Sequence, residues 1–279
     1  MVDNIIQLVT EKLSSLPCIE GIVLGGSRAR GTHTEDSDID IGIYYNSESF
    51  DLPAINQLAT VLDDEHRSNL VVPPGAWGDW VNGGGWLVIN GHHVDFILRD
   101  KKRVEQIIKD TEQGIVTANY QTGHPHGYIS AMYRGELAIS KVQYANDVNF
   151  YDLKKQAECY PTALQKGLTD FFMFEAGFSL MFAEKNIEKD DVSYVSGHCF
   201  RSISSLNQVL FAVNREYCIN EKKAVKMIKD FKIKPSDYKK RVDKVISLIS
   251  TDVDCTRKGI EILQRLVNEV ENLKGANNQ

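Results

Sequence analysis

The 279-residue chain lacks the sequence features of membrane-spanning, zinc-binding and disulfide-bonded proteins. Its five cysteines are odd in number and scattered, and no Cys-x-x-Cys pair or Cys/His cluster is present. That excludes the usual patterns of zinc sites and disulfide frameworks. No uninterrupted apolar run approaches the ~20 residues that span a bilayer, and the first residues lack the charged and apolar regions of a signal peptide. We therefore expect a soluble, cytoplasmic protein without a membrane partner.

Basic residues are scarce in the first half of the chain. Residues 1–150 carry 11 Lys and Arg against 20 Asp and Glu, a net charge of -9, whereas residues 151–279 carry +3. Nucleic-acid binding depends on neutralising phosphates, so we expect no nucleic-acid partner. The excess of carboxylates instead suits divalent cations, which would bring in a small nucleotide. The oligomeric state is not readable from these patterns.

The sequence of the first half of the chain predicts a mixture of helices and strands. Apolar spacing and turn residues predict, in order, a helix over 3–16, strands over Ile19–Leu24 and Ile39–Tyr44, a helix over Ile55–Leu62, an irregular loop from Val71 to Gly85, and a hairpin over Trp86–Leu98. The hairpin turn is Asn90-Gly91, a favoured pair because both positions of a type I′ turn need positive φ.

Beyond about residue 150 the strand signals fade. Helical patterns cover roughly 150–187, 191–218, 220–231, 236–250 and 254–273. Mixed α/β followed by helices predicts an α+β protein: a mixed sheet with flanking helices, then an all-helical C-terminal domain. We expect the first domain to cover residues 1–148 and the helical, acceptor-binding domain to cover residues 149–279.

Gly25-Gly26-Ser27 closes the first predicted strand, and Asp38-Ile39-Asp40 opens the second. Residues separated by one residue in a strand point to the same face, so Asp38 and Asp40 form a pair. Asp95 is a third strand carboxylate, on the face opposite Val94, Phe96 and Leu98. Nucleotidyl transfer needs two divalent ions held by oxygen ligands, and carboxylates are ligands that Mg²⁺ prefers.

The turn supplies groups that suit phosphate. Gly26 permits close approach of backbone amides, Ser27 offers a hydroxyl, and Arg28 and Arg30 are placed to neutralise a triphosphate. A Gly-Gly-Ser sequence alone is usually only a turn, and Asp-x-Asp alone is usually a solvated edge. Together with Asp95 and the unbalanced negative charge, they indicate a site for metal ions and a nucleotide.

The pattern Gly26-Ser27-x10-Asp38-x-Asp40, followed by Asp95, closely resembles the signature of the DNA polymerase β nucleotidyltransferase superfamily over about residues 15–100. The resemblance implies that Ser27 holds the β- and γ-phosphates, that Asp38 and Asp40 bind both Mg²⁺ ions, and that Asp95 binds the catalytic one. The helical half resembles the arrangement in bacterial antibiotic nucleotidyltransferases, which modify aminoglycosides or lincosamides. A small-molecule acceptor is what that likeness implies.

Two residues of the helical half are further candidates. Glu175 lies at helical spacing from Phe171, Phe172 and Phe178, and burial among rings would raise its pKa toward that of a general base. The alternative is an ion pair with Arg or Lys, or a place at the edge of an aromatic core. Lys222 follows Asn220, a suitable helix N-cap, and could reach phosphate; a solvated charge is the alternative.

The leading hypothesis is Mg²⁺-dependent transfer of a nucleoside monophosphate, AMP from ATP, to a hydroxyl of a small molecule such as an aminoglycoside-like antibiotic, with release of pyrophosphate. A second hypothesis keeps the chemistry but modifies a protein, as antitoxin-like nucleotidyltransferases do. A third is a non-catalytic, nucleotide-binding regulator. The intact set of acids argues against the third.

Overall fold

A computed structural model describes residues 1–276 of the chain; residues 277–279 at the end of the predicted helical domain lie outside the described part. Its elements, in chain order, are α1 (Val2–Leu13), β1 (Ile19–Leu24), α2 (Gly26–Arg30), β2 (Ile39–Tyr45), α3 (Leu52–Leu62), β3 (Gly83–Ile89), β4 (His92–Asp100), α4 (Lys101–Glu112), β5 (Ala118–Asn119), β6 (Tyr128–Ile129), α5 (Ala131–Ile139), β7 (Lys141–Ala145), α6 (Val148–Glu158), α7 (Thr162–Lys185), α8 (Val192–Val213), α9 (Ala224–Ile228), α10 (Tyr238–Leu248) and α11 (Val253–Ala276). This order of strands and helices confirms the α+β class.

The chain forms two compact units. The first consists of residues 1–110, 117–123 and 127–159; the second consists of residues 111–116 and 124–126 together with the chain from Tyr160 onward. The predicted boundary between residues 148 and 149 lies at the start of α6, whereas the first unit continues to Cys159. Assigning separate roles to the two parts remains a prediction.

A five-stranded sheet is the frame of the first unit, with strand order β3-β4-β2-β1-β7. β2 and β4 run parallel, and the other neighbours are antiparallel. β3 and β4 form the predicted hairpin, and both turn residues have positive φ, 50° at Asn90 and 76° at Gly91. β5 and β6 form a separate two-stranded sheet.

The two faces of this sheet differ in character. Ile39, Ile41 and Ile43 of β2 are buried in the main apolar core, together with side chains of α1 and α3. Because side chains alternate along a strand, Asp40 and Tyr44 lie on the other face. The same alternation in β4 sends Val94, Phe96 and Leu98 into the core and Asp95 to the other face, as predicted. The sheet thus presents carboxylates on the face opposite its core.

Several elements differ from the sequence-based expectation. The predicted helix over 150–187 is divided into α6 and α7, because Pro161 lacks a backbone N–H and its ring disfavours a helical residue before it. The predicted helix over 220–231 is only the short α9. Gly83–Gly85 belongs to β3 rather than to a loop, and a side chain at Gly84 would collide with the carbonyl of Phe96 on β4.

The second unit is built from α7 to α11. Buried polar contacts connect its helices: Ser202 Oγ of α8 donates to the carbonyl of Ala176 on α7 at 2.9 Å, and Tyr238 Oη of α10 donates to Asn207 Oδ1 of α8 at 2.8 Å. Such satisfied polar groups within an apolar bundle set the register of neighbouring helices. Within residues 1–276, no helix combines the length and the apolar character needed to cross a bilayer.

Candidate active site

Three aspartates meet at one place on the sheet. Asp40 of β2 and Asp95 of β4 are direct register partners on parallel strands. Asp38 immediately precedes β2 and is exposed, whereas Asp40 and Asp95 are half-buried. The predicted grouping of Asp95 with the Asp-x-Asp pair therefore follows from the strand order, in which β4 lies directly beside β2.

The carboxylates interact with one another electrostatically. Burial raises the pKa of Asp95 to about 6, and the charges of Asp40 and Asp38 contribute to this rise. Burial also raises the pKa of Asp40, with added repulsion from Asp38 and Glu136. Like charges held this close favour a bound cation, which would stabilise the ionised forms.

The turn after β1 packs directly against Asp40. The Gly25 amide donates to the Asp40 carbonyl at 2.8 Å. Gly26 has φ of +56°, and a Cβ at that position would overlap carboxylate oxygen Oδ2 of Asp40. Glycine is required there both for its left-handed backbone and for the space taken by the carboxylate. Ser27, next in the chain, is half-buried at the second position of α2.

Arg28 has a different position from the expected one. Its side chain is buried, with 8% of the residue exposed. Nε donates to the Asp38 carbonyl at 3.0 Å, and one terminal nitrogen donates to the Ser37 carbonyl at 2.5 Å. The guanidinium thus holds the segment that carries Asp38, and its charge lowers the pKa of Asp40. Arg28 thus supports the segment that carries the acids, and its role in neutralising a triphosphate remains a prediction. Arg30, at the end of α2, is half-buried.

The donor set suits a divalent cation. Among residues 1–276, no three Asp, Glu, His or Cys side chains form a ready coordination shell. Mg²⁺ needs no such protein cage, because it is commonly held by one or two carboxylates together with substrate phosphates and water. Burial and neighbouring carboxylates raise the pKa values of Asp40 and Asp95, and a bound cation would stabilise both groups in their ionised form. Asp38, Asp40 and Asp95 are the residues that would hold the metal.

Comparison with known families decides the class of this unit. Residues 3–117 match the family model described as a nucleotidyltransferase domain. The chain is therefore a nucleotidyltransferase enzyme, and domains of this kind generally use a nucleoside triphosphate and a divalent metal ion.

A solved structure supports the fold over the whole chain. A nucleotidyltransferase-like protein from Exiguobacterium sibiricum 255-15 is similar with a TM-score of 0.50 and 10% sequence identity, over 99% of this chain and 78% of that one. At this identity the likeness concerns the fold alone. No curated protein matches the chain.

An ion pair between buried Arg99 and half-buried Glu136 in the first unit was not foreseen from the sequence. Arg99 of β4 makes two hydrogen bonds to the Glu136 carboxylate, at 2.8 and 3.0 Å, and Tyr128 Oη donates to the same group at 3.1 Å. Asp95, Ile97 and Arg99 are alternate residues of β4, so their side chains share one face of the strand. Arg99 and Glu136 are 37 residues apart, and no local pattern connects them.

Trp86 lies beside Asp95 in the sheet and stacks on Trp77 of the preceding loop. Trp86 of β3 is the register partner of Asp95 and is 63% exposed. Its ring stacks on Trp77 with centroids 4.7 Å apart. The loop that carries Trp77 is held by Gln121, whose Nε2 donates to the Trp77 carbonyl at 2.5 Å. The two-residue Asn90-Gly91 turn determines this register, so the pairing of Trp86 with Asp95 was readable from the sequence.

The structure corrects the electrostatic argument for Glu175. Burial raises the pKa of Glu175, as expected, but the contacts with His126 and Arg201 outweigh it, and the pKa lies below its ordinary value. Arg201 forms an ion pair with Oε1, and His126 Nε2 lies 3.6 Å from the same oxygen. The alternative reading, an ion pair with Arg, describes this side chain. A carboxylate stabilised in its charged form is a weak base, so the pKa of Glu175 does not support a catalytic role, which remains a prediction.

Lys222 belongs to the second unit and its side chain is exposed. Asn220 does not cap a helix: its Oδ1 accepts from the Lys222 amide at 2.7 Å, and α9 begins only at Ala224. The helix start fails because Lys223 adopts the left-handed conformation, with φ of +68°. A role for Lys222 in phosphate binding remains a prediction.

Proposed function

We propose that the enzyme transfers a nucleoside monophosphate, AMP from ATP, to a hydroxyl of a small molecule and releases pyrophosphate, with two Mg²⁺ ions held by Asp38, Asp40 and Asp95. The observation that carries this proposal is the register pairing of Asp40 with Asp95 beside Asp38, on the strand that the Gly26-Ser27 turn contacts. The match of residues 3–117 to a nucleotidyltransferase domain supports the reaction class.

The residues of the site divide the work of binding. Backbone amides at Gly26 and the hydroxyl of Ser27 would bind the terminal phosphates of the nucleotide, since glycine lets phosphate approach the backbone closely. The aspartates orient the metal ions, and Arg28 keeps the Asp38 segment in place. Bound Mg²⁺ supplies Lewis-acid activation of the α-phosphate and stabilises the charge on the leaving pyrophosphate. An acceptor hydroxyl aligned with that phosphate gains most of its reactivity from position.

The acceptor distinguishes this proposal from its alternative. Incubation of the full chain with Mg²⁺, α-labelled ATP, a panel of aminoglycosides and lincosamides, and a cell lysate separates the two. We expect label on a small molecule. Label on a protein band instead would support the antitoxin-like alternative, in which the enzyme AMPylates a protein partner.

A residue-level control accompanies this assay. The double variant Asp38→Asn/Asp40→Asn retains the size of both side chains but removes two anionic metal ligands. Loss of labelling in that variant, with a thermal midpoint no lower than that of the wild type, is expected. Undiminished labelling would contradict the proposed site, whichever acceptor is modified.

A further inference from the structure

A cavity of about 690 Å³ lies between α7 and α8 in the second unit. Its wall is formed by six ring side chains, namely Phe171, Phe174, Phe178, Phe182, Tyr194 and His198. The four phenylalanines follow one face of α7 at helical spacing. The volume falls in the range of about 300–1,000 Å³ that small-molecule sites occupy. We call this cavity the aromatic pocket.

The rings of the aromatic pocket are exposed yet ordered against one another. Phe174 is 72% exposed and Phe178 is 49% exposed. Their rings stack with centroids 5.5 Å apart, and Phe178 meets Phe182 edge-on at 5.0 Å. The row ends at His198, which stacks on Phe182 at 5.4 Å. Exposed rings in a continuous, preformed row provide stacking surface for a planar ligand and mark a binding site rather than a core.

The charged groups of the aromatic pocket balance each other. Glu175 is paired with Arg201, and both line the cavity. The Arg201 side chain is 53% exposed, so part of its guanidinium faces solvent. A cage for a cation would present an uncompensated carboxylate among its rings. Here the Glu175 carboxylate is already paired with Arg201, so it offers no free negative charge to a cation. A positively charged ligand would also be repelled by the exposed part of the Arg201 guanidinium.

One polar atom of His198, a residue that lines the aromatic pocket, is left without a partner in the described part of the chain. His198 Nδ1 is buried and has no hydrogen bond within the described residues. Burial lowers the pKa of His198, and the charge of Arg201 lowers it further, so the ring is neutral at pH 7. Buried polar atoms in native proteins nearly always have a hydrogen-bond partner. A nitrogen of a neutral imidazole can form a hydrogen bond with a hydroxyl group.

We propose that the aromatic pocket binds an uncharged small molecule that has a planar apolar ring system and a hydroxyl group hydrogen-bonded to His198. The rings supply stacking area, the neutral ion pair disfavours cations, and the imidazole selects for the hydroxyl. This inference concerns the second unit alone. Only the further step, use of the bound molecule as the acceptor, rests on the proposed nucleotidyl transfer.

The test is a calorimetric titration of the full chain at pH 7, without nucleotide, with three naphthalene probes. 2-Naphthol has the proposed ring and hydroxyl, 2-methylnaphthalene lacks the hydroxyl, and a naphthylmethyl-trimethylammonium ion carries a positive charge. We expect 2-naphthol to bind most tightly. His198→Phe retains the stacked ring and should remove the preference for 2-naphthol over 2-methylnaphthalene.

A matched pair of variants tests the location. Phe178→Ala removes the central ring of the row, and Phe200→Ala removes an exposed ring on α8 that does not line the aromatic pocket. We expect at least a ~10-fold weaker affinity for 2-naphthol in Phe178→Ala and no change in Phe200→Ala, with thermal unfolding confirming that both variants fold. Equal weakening in both variants, tighter binding of the ammonium probe, or no binding of 2-naphthol at 1 mM would overturn the proposal.

Failure of this inference and failure of the proposed function are separable. Asp38→Asn/Asp40→Asn should bind 2-naphthol with wild-type affinity, because those residues belong to the first unit. A protein that transfers nucleotide but does not bind 2-naphthol would retain the proposed function and refute the aromatic pocket as a ligand site.

Discussion

Asp40 on β2 and Asp95 on β4 are partners in the parallel register of the central sheet, so two half-buried carboxylates stand side by side on the face opposite the main apolar core. Strand pairing normally disfavours like charges at directly opposite positions. Their retention at the centre of a sheet is consistent with a bound cation as the compensating partner.

The stability of the metal-free protein should fall as pH rises from about 4 to about 6. The pKa of Asp95 is about 6 in the folded protein against 3.8 for an unperturbed Asp. In that window the unfolded chain has released this proton and the folded chain still holds it, so the free energy of unfolding decreases with pH. Asp95→Asn should flatten the slope of thermal midpoint against pH between 4 and 6.

Asp110→Asn is the control for this measurement, because Asp110 lies on α4 and accepts a hydrogen bond from Gln106 away from the three acids. Its profile should match that of the wild type. A profile of Asp95→Asn that coincides with the wild type would show that the pKa of Asp95 is not raised. Added Mg²⁺ with nucleotide should increase the midpoint most above pH 6, where the carboxylates are ionised.

Gly26→Ala should inactivate the enzyme, whereas Gly31→Ala should not. Both glycines have positive φ, +56° and +71°, so both substitutions cost about 1–2 kcal/mol in backbone strain. Only at Gly26 does the new Cβ meet the Asp40 carboxylate, because nothing lies within 4 Å at Gly31. The kcat of the two variants, with their unfolding free energies, separates strain from displacement of Asp40. Equal kcat in both would contradict the proposed packing of the turn on that acid.

Arg28→Lys should behave like Arg28→Ala rather than like the wild type. The guanidinium reaches the carbonyls of Ser37 and Asp38 with different nitrogens, a geometry that a single ammonium cannot reproduce. We expect a loss of about 2 kcal/mol in unfolding free energy and weaker Mg²⁺-nucleotide binding by calorimetry in both variants. Wild-type nucleotide affinity in Arg28→Lys would show that only the charge matters.

Glu175→Gln should leave kcat within about threefold of the wild type and lower the stability by about 1 kcal/mol, through loss of the pairing with Arg201. Glu184→Gln, an exposed position on the same helix, should change neither. A general base contributes roughly 10²–10⁴-fold, so a fall of that size at unchanged stability would restore Glu175 as the base.

Much of the first unit could be predicted from local pattern. Alternation in Ile39–Tyr44 and the Asn90-Gly91 turn are short-range signals, and β2 and the β3–β4 hairpin formed as expected. The approach of Asp95 to Asp40 was expected, because the hairpin places Asp95 on a strand and the resemblance to the superfamily signature groups it with Asp38 and Asp40. What could not be predicted was the environment: the Arg99–Glu136 pair joins residues 37 apart in the chain, and nothing local indicates it.

The errors came from long-range partners that override local tendencies. The rings around Glu175 suggested a raised pKa, but Arg201 is 26 residues away and His126 is 49 residues away in the chain, and both bring positive or hydrogen-bonding groups to it. Arg28 likewise stood next to the phosphate turn in sequence, while its side chain turned to the carbonyls of the Asp38 segment. Sequence spacing can predict which helix or strand a charged residue belongs to, but it does not predict which group its side chain will contact.

The most direct test of a nucleotidyl-transfer centre follows the two ends of ATP separately. Parallel reactions contain Mg²⁺, the acceptor fraction and ATP labelled on either the α- or the γ-phosphate, with wild-type protein and with Asp40→Asn/Asp95→Asn. The account predicts α-label on the acceptor, γ-label in pyrophosphate, and a fall of at least ~100-fold in both for the double variant. Label from the γ-phosphate on the acceptor, or transfer that survives loss of both aspartates, would contradict it.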